Sequence, residues 1–197
     1  MNKTSLVLRV CGANGESYGG FRCPLEVGAT VTAPDWKATH ACGAGLHGWL
    51  YGQGDHSCMD KWQSEGALWL VVEVESDSII ELGGKVKFPA CVVRFVGNAK
   101  SATDYLWEHE PRSRDVAVIG ACRAEKQDGA QVRVGALGTA AAGALGTATA
   151  GEYGVIAIEY YDRERGIYRR KFGEVDGETL KPGVAYKLND AAEFVPG

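Results

Sequence analysis

The sequence predicts a mostly β protein. It reads as an N-terminal β-rich domain over residues 1–100, a short helix or linker over 101–114, a short parallel β-solenoid or β-roll over 115–158, and an antiparallel β hairpin or sheet cap over 159–197. Three observations predict this. Glycine supplies 27 of 197 residues, and each interior glycine costs a helix roughly 1 kcal/mol against alanine. Hydrophobic residues make up 45% of the chain, enough for a buried core, and they fall in short runs bounded by turn pairs such as Asn14-Gly15 and Pro182-Gly183. Between Gly135 and Ile158 an eight-residue pattern repeats.

The elements follow in order. Strands are expected over 6–10, 18–23, 31–33, 68–75, 79–82, 86–88 and 91–96, where β-branched and aromatic residues cluster between turn residues. A two-turn helix is expected after Lys100, closed by Pro111, which cannot continue it. The octads read Gly135-Ala-Leu-Gly138-Thr-Ala-Ala-Ala, Gly143-Ala-Leu-Gly146-Thr-Ala-Thr-Ala and Gly151-Glu-Tyr-Gly154-Val-Ile-Ala-Ile. Eight residues suit one straight segment plus one corner of a solenoid, with glycine supplying positive φ at the corners. Alternation points Val132, Val134, Ala140, Ala142, Ala148, Ala150, Ile156 and Ile158 inward, and Gln131, Arg133, Thr139, Ala141, Thr147, Thr149, Val155 and Ala157 outward. An irregular corner is expected at 126–129. Downstream, the apolar run from Val155, the polar turn at 162–166 and the run from Ile167 form a hairpin.

Charge and cysteine use narrow the function classes. A formal charge of −4 speaks against a nucleic-acid partner, which asks for a strong basic excess. Arg163, Arg165, Arg169, Arg170 and Lys171 gather beside Tyr160, Tyr161 and Tyr168, but Glu159, Asp162, Glu164 and Glu174 cancel much of their field. Six cysteines without a CxxC pair read as reduced thiols. The first ten residues lack the apolar core of a signal peptide, and 134–151 is too weakly apolar to span a bilayer, so the expected location is the cytoplasm of a bacterial host.

Three constellations could carry chemistry. His40, Cys42, His47, His56 and Cys58 concentrate imidazole and thiol groups within 19 residues, the ligand types zinc takes in fours. Their spacing matches no standard zinc pattern, and the competing reading is a glycine-rich turn shaped by Cys42 and His47. Cofactor expectation is therefore none, with zinc as the alternative. Second, Trp36, Trp49, Trp62, Trp69 and Tyr51 surround the glycine-rich His47 loop, so Trp36, His47, Trp49 and Tyr51 are the candidate ligand-binding residues if these aromatics line a pocket rather than a core. Third, Arg9, His47 and Glu75 resemble in order and type an ADP-ribosyltransferase core. That resemblance implies an Arg or His binding a dinucleotide and a Glu polarising a ribose hydroxyl. The other reading makes Glu73 and Glu75 the solvent face of a strand whose inward face is Leu70, Val72 and Val74.

Further resemblances concern architecture. Val116-Ala-Val-Ile-Gly-Ala-Cys-Arg-Ala-Glu and the Gly129-Ala-Gln-Val-Arg-Val-Gly-Ala segment resemble the repeats of trimeric autotransporter adhesin heads, and the octads are similar to ice-nucleation repeats. The first resemblance implies a parallel β-roll and a homo-oligomer, up to a trimer. Tyr18-Gly-Gly-Phe21, Cys42-Gly-Ala-Gly-Leu-His-Gly48 and Gly83-Gly-Lys-Val-Lys-Phe-Pro89 resemble an uncharacterised domain of bacteriophage and prophage proteins. The expectation is a non-enzymatic phage or prophage accessory protein that self-assembles and binds a host protein partner or small ligand, in one version a host-defence antagonist. The rival is an enzyme of the ADP-ribosyl transfer type.

Overall fold

A computed structural model describes residues 3–59, 61 and 64–197. The chain is mostly β, as expected, and divides into two compact units, Met1–Val116 and Ala117–Gly197.

The first unit is built on seven antiparallel strands. These are β1 (Thr4–Cys11), β2 (Thr30–Thr32), β3 (Leu46–Leu50), β4 (Leu68–Glu75), β5 (Ile80–Glu81), β6 (Val86–Phe88) and β7 (Ala90–Gly97), in spatial order β2-β7-β4-β1-β3-β6-β5. β1 and β4 form the centre, in register from Thr4 opposite Glu75 to Cys11 opposite Leu68. Both faces of this pair are buried, which is why the runs are nearly continuously apolar rather than cleanly alternating. On one face Val7, Leu70, Val72 and Val74 pack with Leu46, Val86 and Phe88. The other carries Val71, and beside it helix α1 (Ala99–His109) stacks Tyr105 on Phe95, the register partner of Val71, at 5.1 Å.

Helix α1 is three turns long rather than two. It starts early because Asn98 caps it, accepting from the Ser101 N–H at 2.9 Å while Ser101 Oγ accepts from the Asn98 N–H at 3.1 Å. It ends at Glu110, whose extended backbone is what a residue before proline prefers. The helix and the 3-10 turn Pro111–Asp115 belong to the first unit, rather than linking two domains.

Two local expectations are corrected. Residues 18–23 do not form a strand: Tyr18–Gly20 is a 3-10 turn, because Gly19 (φ 67°) and Gly20 (φ 77°) enter the left-handed region. Conversely, the segment around His47 is not a turn but strand β3. Its Gly48 permits a close approach, since a Cβ there would collide with the Val7 side chain and come within 3.1 Å of Arg9 Cγ.

In the second unit β8 (Cys122–Glu125), β10 (Thr139–Ala142) and β12 (Val155–Asp162) pair in parallel, as do β9 (Gln131–Arg133) and β11 (Thr147–Thr149). The chain therefore alternates between two four-stranded sheets, β13-β12-β10-β8 and β15-β14-β11-β9, where β13 is Ile167–Glu174, β14 Tyr186–Leu188 and β15 Phe194–Pro196. Parallel partners lie sixteen residues apart, except that β8 and β10 lie seventeen apart, across the irregular 126–129 corner. The C-terminal strands add antiparallel, as expected of the last part of the chain. All eight residues assigned inward are buried. Of those assigned outward only Ala157 is buried.

The octad glycines serve a different purpose from the one expected. Positive φ at the corners falls on Leu137 (61°), Leu145 (60°) and Tyr153 (58°) instead. The glycines are needed for stacking: a Cβ on Gly135, Gly138, Gly143, Gly146, Gly151 or Gly154 would lie closer than 3.0 Å to other atoms, in most cases the backbone of an adjoining segment.

Candidate functional site

A cavity of about 570 Å³ opens in the first unit beside β1 and β3. Its walls include Arg9 of β1, His47 of β3, Lys85 just before β6, and Tyr18, Phe21 and Met59. The loop ahead of β3 is folded by three successive left-handed residues, Gly43 (φ 86°), Ala44 (φ 50°) and Gly45 (φ 151°). Lys87 of β6 holds this loop from below. It is fully buried, and its Nζ donates to the Ala41 carbonyl at 2.8 Å and to the Gly43 carbonyl and Thr39 Oγ1 at 3.4 Å each, 5.6 Å from the Trp36 ring centre. A buried ammonium must find such oxygens, so the lysine imposes order on a loop that lacks regular structure.

Arg9 is 3% exposed. Its Nη1 donates to the His47 carbonyl at 2.5 Å and its Nη2 to Ser17 Oγ at 3.5 Å, while among the described residues its Nε has no partner. Among the described residues no carboxylate pairs with it. The His47 ring also presents a buried, unpartnered Nε2. Burial, and then the charges of Lys85, Arg9 and Lys87, push His47 down to about 4, with Asp35 opposing weakly. The ring is neutral at physiological pH.

This has a pH consequence. Unfolded, His47 takes up its proton near pH 6.5; folded, it waits until about pH 4. The unfolded chain therefore binds more protons in that window, so His47's contribution to stability is full above pH 6.5 and declines as pH falls toward 4. Allowing for solvent screening of a half-exposed ring, the decline is about 1–2 kcal/mol. Urea unfolding at the two ends of the window measures it, and His47→Gln should reduce the drop by that amount. An unchanged drop in the variant would refute the assignment.

The remaining candidates are distributed as follows. Arg9 and His47 come together, but Glu75 does not join them. Arg9 is opposite Leu70 and Glu75 opposite Thr4, five residues along an unbroken register, which puts the two side chains on opposite faces about 17 Å apart along the strand. Glu73 is ion-paired with Arg94 at 2.8 Å. Cys42 and Cys58 line the cavity with His47, whereas His40 is exposed near the Glu81 carbonyl and His56 is buried in the turn His56–Cys58. Among the described residues no three His, Cys, Asp or Glu side chains form a group able to hold a metal ion. All six cysteines are free thiols.

The aromatics divide in a way the sequence did not reveal. Trp49 is fully buried, donates from Nε1 to the Asp55 carbonyl at 3.0 Å and lies 5.9 Å from the Trp69 ring, so it is core. Tyr51 lies under the Arg112 guanidinium at 4.4 Å. Trp36 packs against Lys87 and the loop, and Trp62 lies outside the described residues. The rings lining the cavity are instead Tyr18 and Phe21, delivered by the Gly19-Gly20 turn, a signal the sequence carries in that glycine pair.

No protein-family model matches the chain, and no solved structure matches it. The chain is similar to ice nucleation proteins. One from Xanthomonas campestris pv. translucens is 33% identical over 108 residues, covering 54% of this chain and 7% of that protein. One from Pseudomonas syringae is 35% identical over 104 residues, covering 52% and 9%. The chain thus spans less than a tenth of the length of these curated relatives. The likeness agrees with the octad pattern. Among the described residues no helix is long and apolar enough to cross a membrane.

Proposed function

We propose that this chain is a non-enzymatic binding protein whose first unit takes a small molecule into the cavity beside β1 and β3, and whose octad segment winds as a short parallel solenoid. One observation carries the binding reading: a cavity of about 570 Å³, within the size range of small-molecule sites, walled by Arg9, whose buried Nε lacks a partner. Parallel pairing at sixteen-residue steps and the similarity to ice nucleation proteins support the winding. Ice nucleation itself is not part of the proposal, because the outward threonines are only Thr139, Thr147 and Thr149. Homo-oligomer formation and a phage or prophage accessory role belong to the same reading, supported by the repeat edges and by the Tyr18–Phe21 and Cys42–Gly48 motifs respectively.

Ligand-observed NMR with a set of single-ring aromatic fragments, charged and neutral, tests the cavity. Several should bind the wild type, and Ser17→Trp, which places an indole in the cavity wall, should displace them. Binding that survives unchanged in that variant, or no binding by any fragment, would refute the reading. The ADP-ribosyl transfer alternative gains no support from a Glu75 that faces away from Arg9.

A further inference from the structure

We propose that the cavity of the first unit receives a compact anionic group, phosphate or carboxylate, carried on an apolar body. In this arrangement the Arg9 guanidinium in the cavity wall is its charge partner and Lys85 adds charge. The proposal rests on the small-molecule reading above and specifies the ligand's chemistry.

Four observations lead there. The first is the unbalanced charge. Among the described residues Arg9, Lys61 and Lys85 line the cavity against a single acid, Asp35, and Lys61 already pairs with Glu16 at 3.8 Å. The second is burial. A guanidinium cannot lose its charge in a protein, so a buried Arg without a carboxylate carries a desolvation cost of several kcal/mol that an anion would offset.

The third is the influence of Arg9 on its surroundings. Its charge pulls His47, Cys11, Cys23 and Cys91 toward their less positive or more negative forms. Cys23 is the clearest case: a hydrogen bond from Cys11, and then Arg9, lower its thiol despite burial. The Cys23 hydrogen bond and burial at Cys11, and burial at Cys91, outweigh this pull, so both remain neutral thiols and give Arg9 no anionic partner. The fourth is geometry. Arg9 and His47 are joined by the Arg9 Nη1 bond to the His47 carbonyl and both line one cavity, which sets the fixed charge of Arg9 in its wall beside a neutral ring. Val10, Phe21, Leu46 and Met59 supply the apolar wall for the rest of the ligand.

Isothermal titration of the full chain with phenyl phosphate, benzoate and benzamide tests this, because the three share a ring and differ in the head group. The anions should bind at least about tenfold more tightly than neutral benzamide, a factor within reach of charge-assisted hydrogen bonds. The stronger of the two anions identifies phosphate or carboxylate as the preferred group. Arg9→Gln should abolish this preference. If that variant fails to fold, Lys85→Gln, at a half-buried position on the cavity wall, should still weaken anion binding about threefold and leave benzamide unchanged. Equal binding of all three ligands would overturn the anion proposal and leave the small-molecule reading standing. Binding by none would overturn both. Undiminished anion binding to folded Arg9→Gln would overturn the role of Arg9.

Discussion

Gly151→Ala should destabilise the second unit by about 2–3 kcal/mol, the range for forcing an extra methyl into a space that cannot yield. A Cβ at this corner would meet the Ala136 Cα and the Gly135 carbonyl carbon at 2.8 Å each, both backbone atoms of the preceding stack. The Gly151 N–H donates to the Gly135 carbonyl at 3.1 Å, so the corner cannot back away without breaking the bond that joins the two segments. Gly177→Ala provides the comparison. That glycine has φ +80° with open space around it, so alanine there meets only backbone strain of about 1 kcal/mol. Chemical unfolding of the two variants should rank Gly151→Ala as the more damaging. Equal losses would mean that the octad glycines recur at fixed spacing for some reason other than clearance of neighbouring backbone.

Glu110→Ala should cost the first unit about 2–4 kcal/mol, the range for breaking a buried ion pair discounted for an Arg112 side chain that is 36% exposed. The carboxylate is 3% exposed. It accepts from Arg112 Nε and Nη2 at 2.6 Å each and from the Leu6 N–H of β1 at 3.1 Å. Burial alone would raise its pKa, but the Arg112 hydrogen bonds, the Leu6 N–H and the Arg112 charge outweigh burial and hold it below the usual carboxylate range. Arg112 Nη2 also reaches the Thr4 carbonyl at 3.1 Å, so the pair clamps the helix exit to β1. Truncation leaves the strand N–H of Leu6 without its acceptor and the Arg112 guanidinium with only the Thr4 carbonyl and the Tyr51 ring. Glu110→Gln keeps an acceptor for Leu6 and should lose about 1–3 kcal/mol. Equilibrium urea unfolding orders wild type, Gln and Ala; an alanine variant as stable as wild type would show that water replaces the carboxylate.

Much of the fold is legible in local sequence. Periodic burial set the second unit: alternation in and just before the octads places Val132, Ala140, Ala148 and Ile156 inward without any long-range information, because strand residues alternate strictly. The 68–75 and 86–88 strands are equally plain from their β-branched runs. β3 was obscured because His47-Gly48 reads as loop chemistry, and only the approach of Val7 and Arg9 explains a glycine inside a strand. Lys87 shows the same limit. Nothing in its neighbourhood marks it as buried, since the oxygens that satisfy it come from residues more than forty positions away.

The candidate site was half legible. His47 stood out through its glycine-rich setting, and Arg9 through the resemblance of Arg9, His47 and Glu75 to an ADP-ribosyltransferase core. Trp49 and Tyr51 were grouped with them by proximity in sequence, yet Trp49 turns into the core and Tyr51 stacks under Arg112. Tyr18 and Phe21 reach the cavity from one distant turn and Lys85 from another segment. By itself, then, the sequence determined the β character, the octad register and which faces of the second unit are buried, because these follow from side-chain periodicity over a few neighbouring residues. Only the tertiary structure decided that Glu75 is separated from Arg9, that the octad glycines clear space for neighbouring backbone, and which rings line the cavity with His47. Strand pairing between distant segments sets each of these, and local periodicity carries no information about which strands pair.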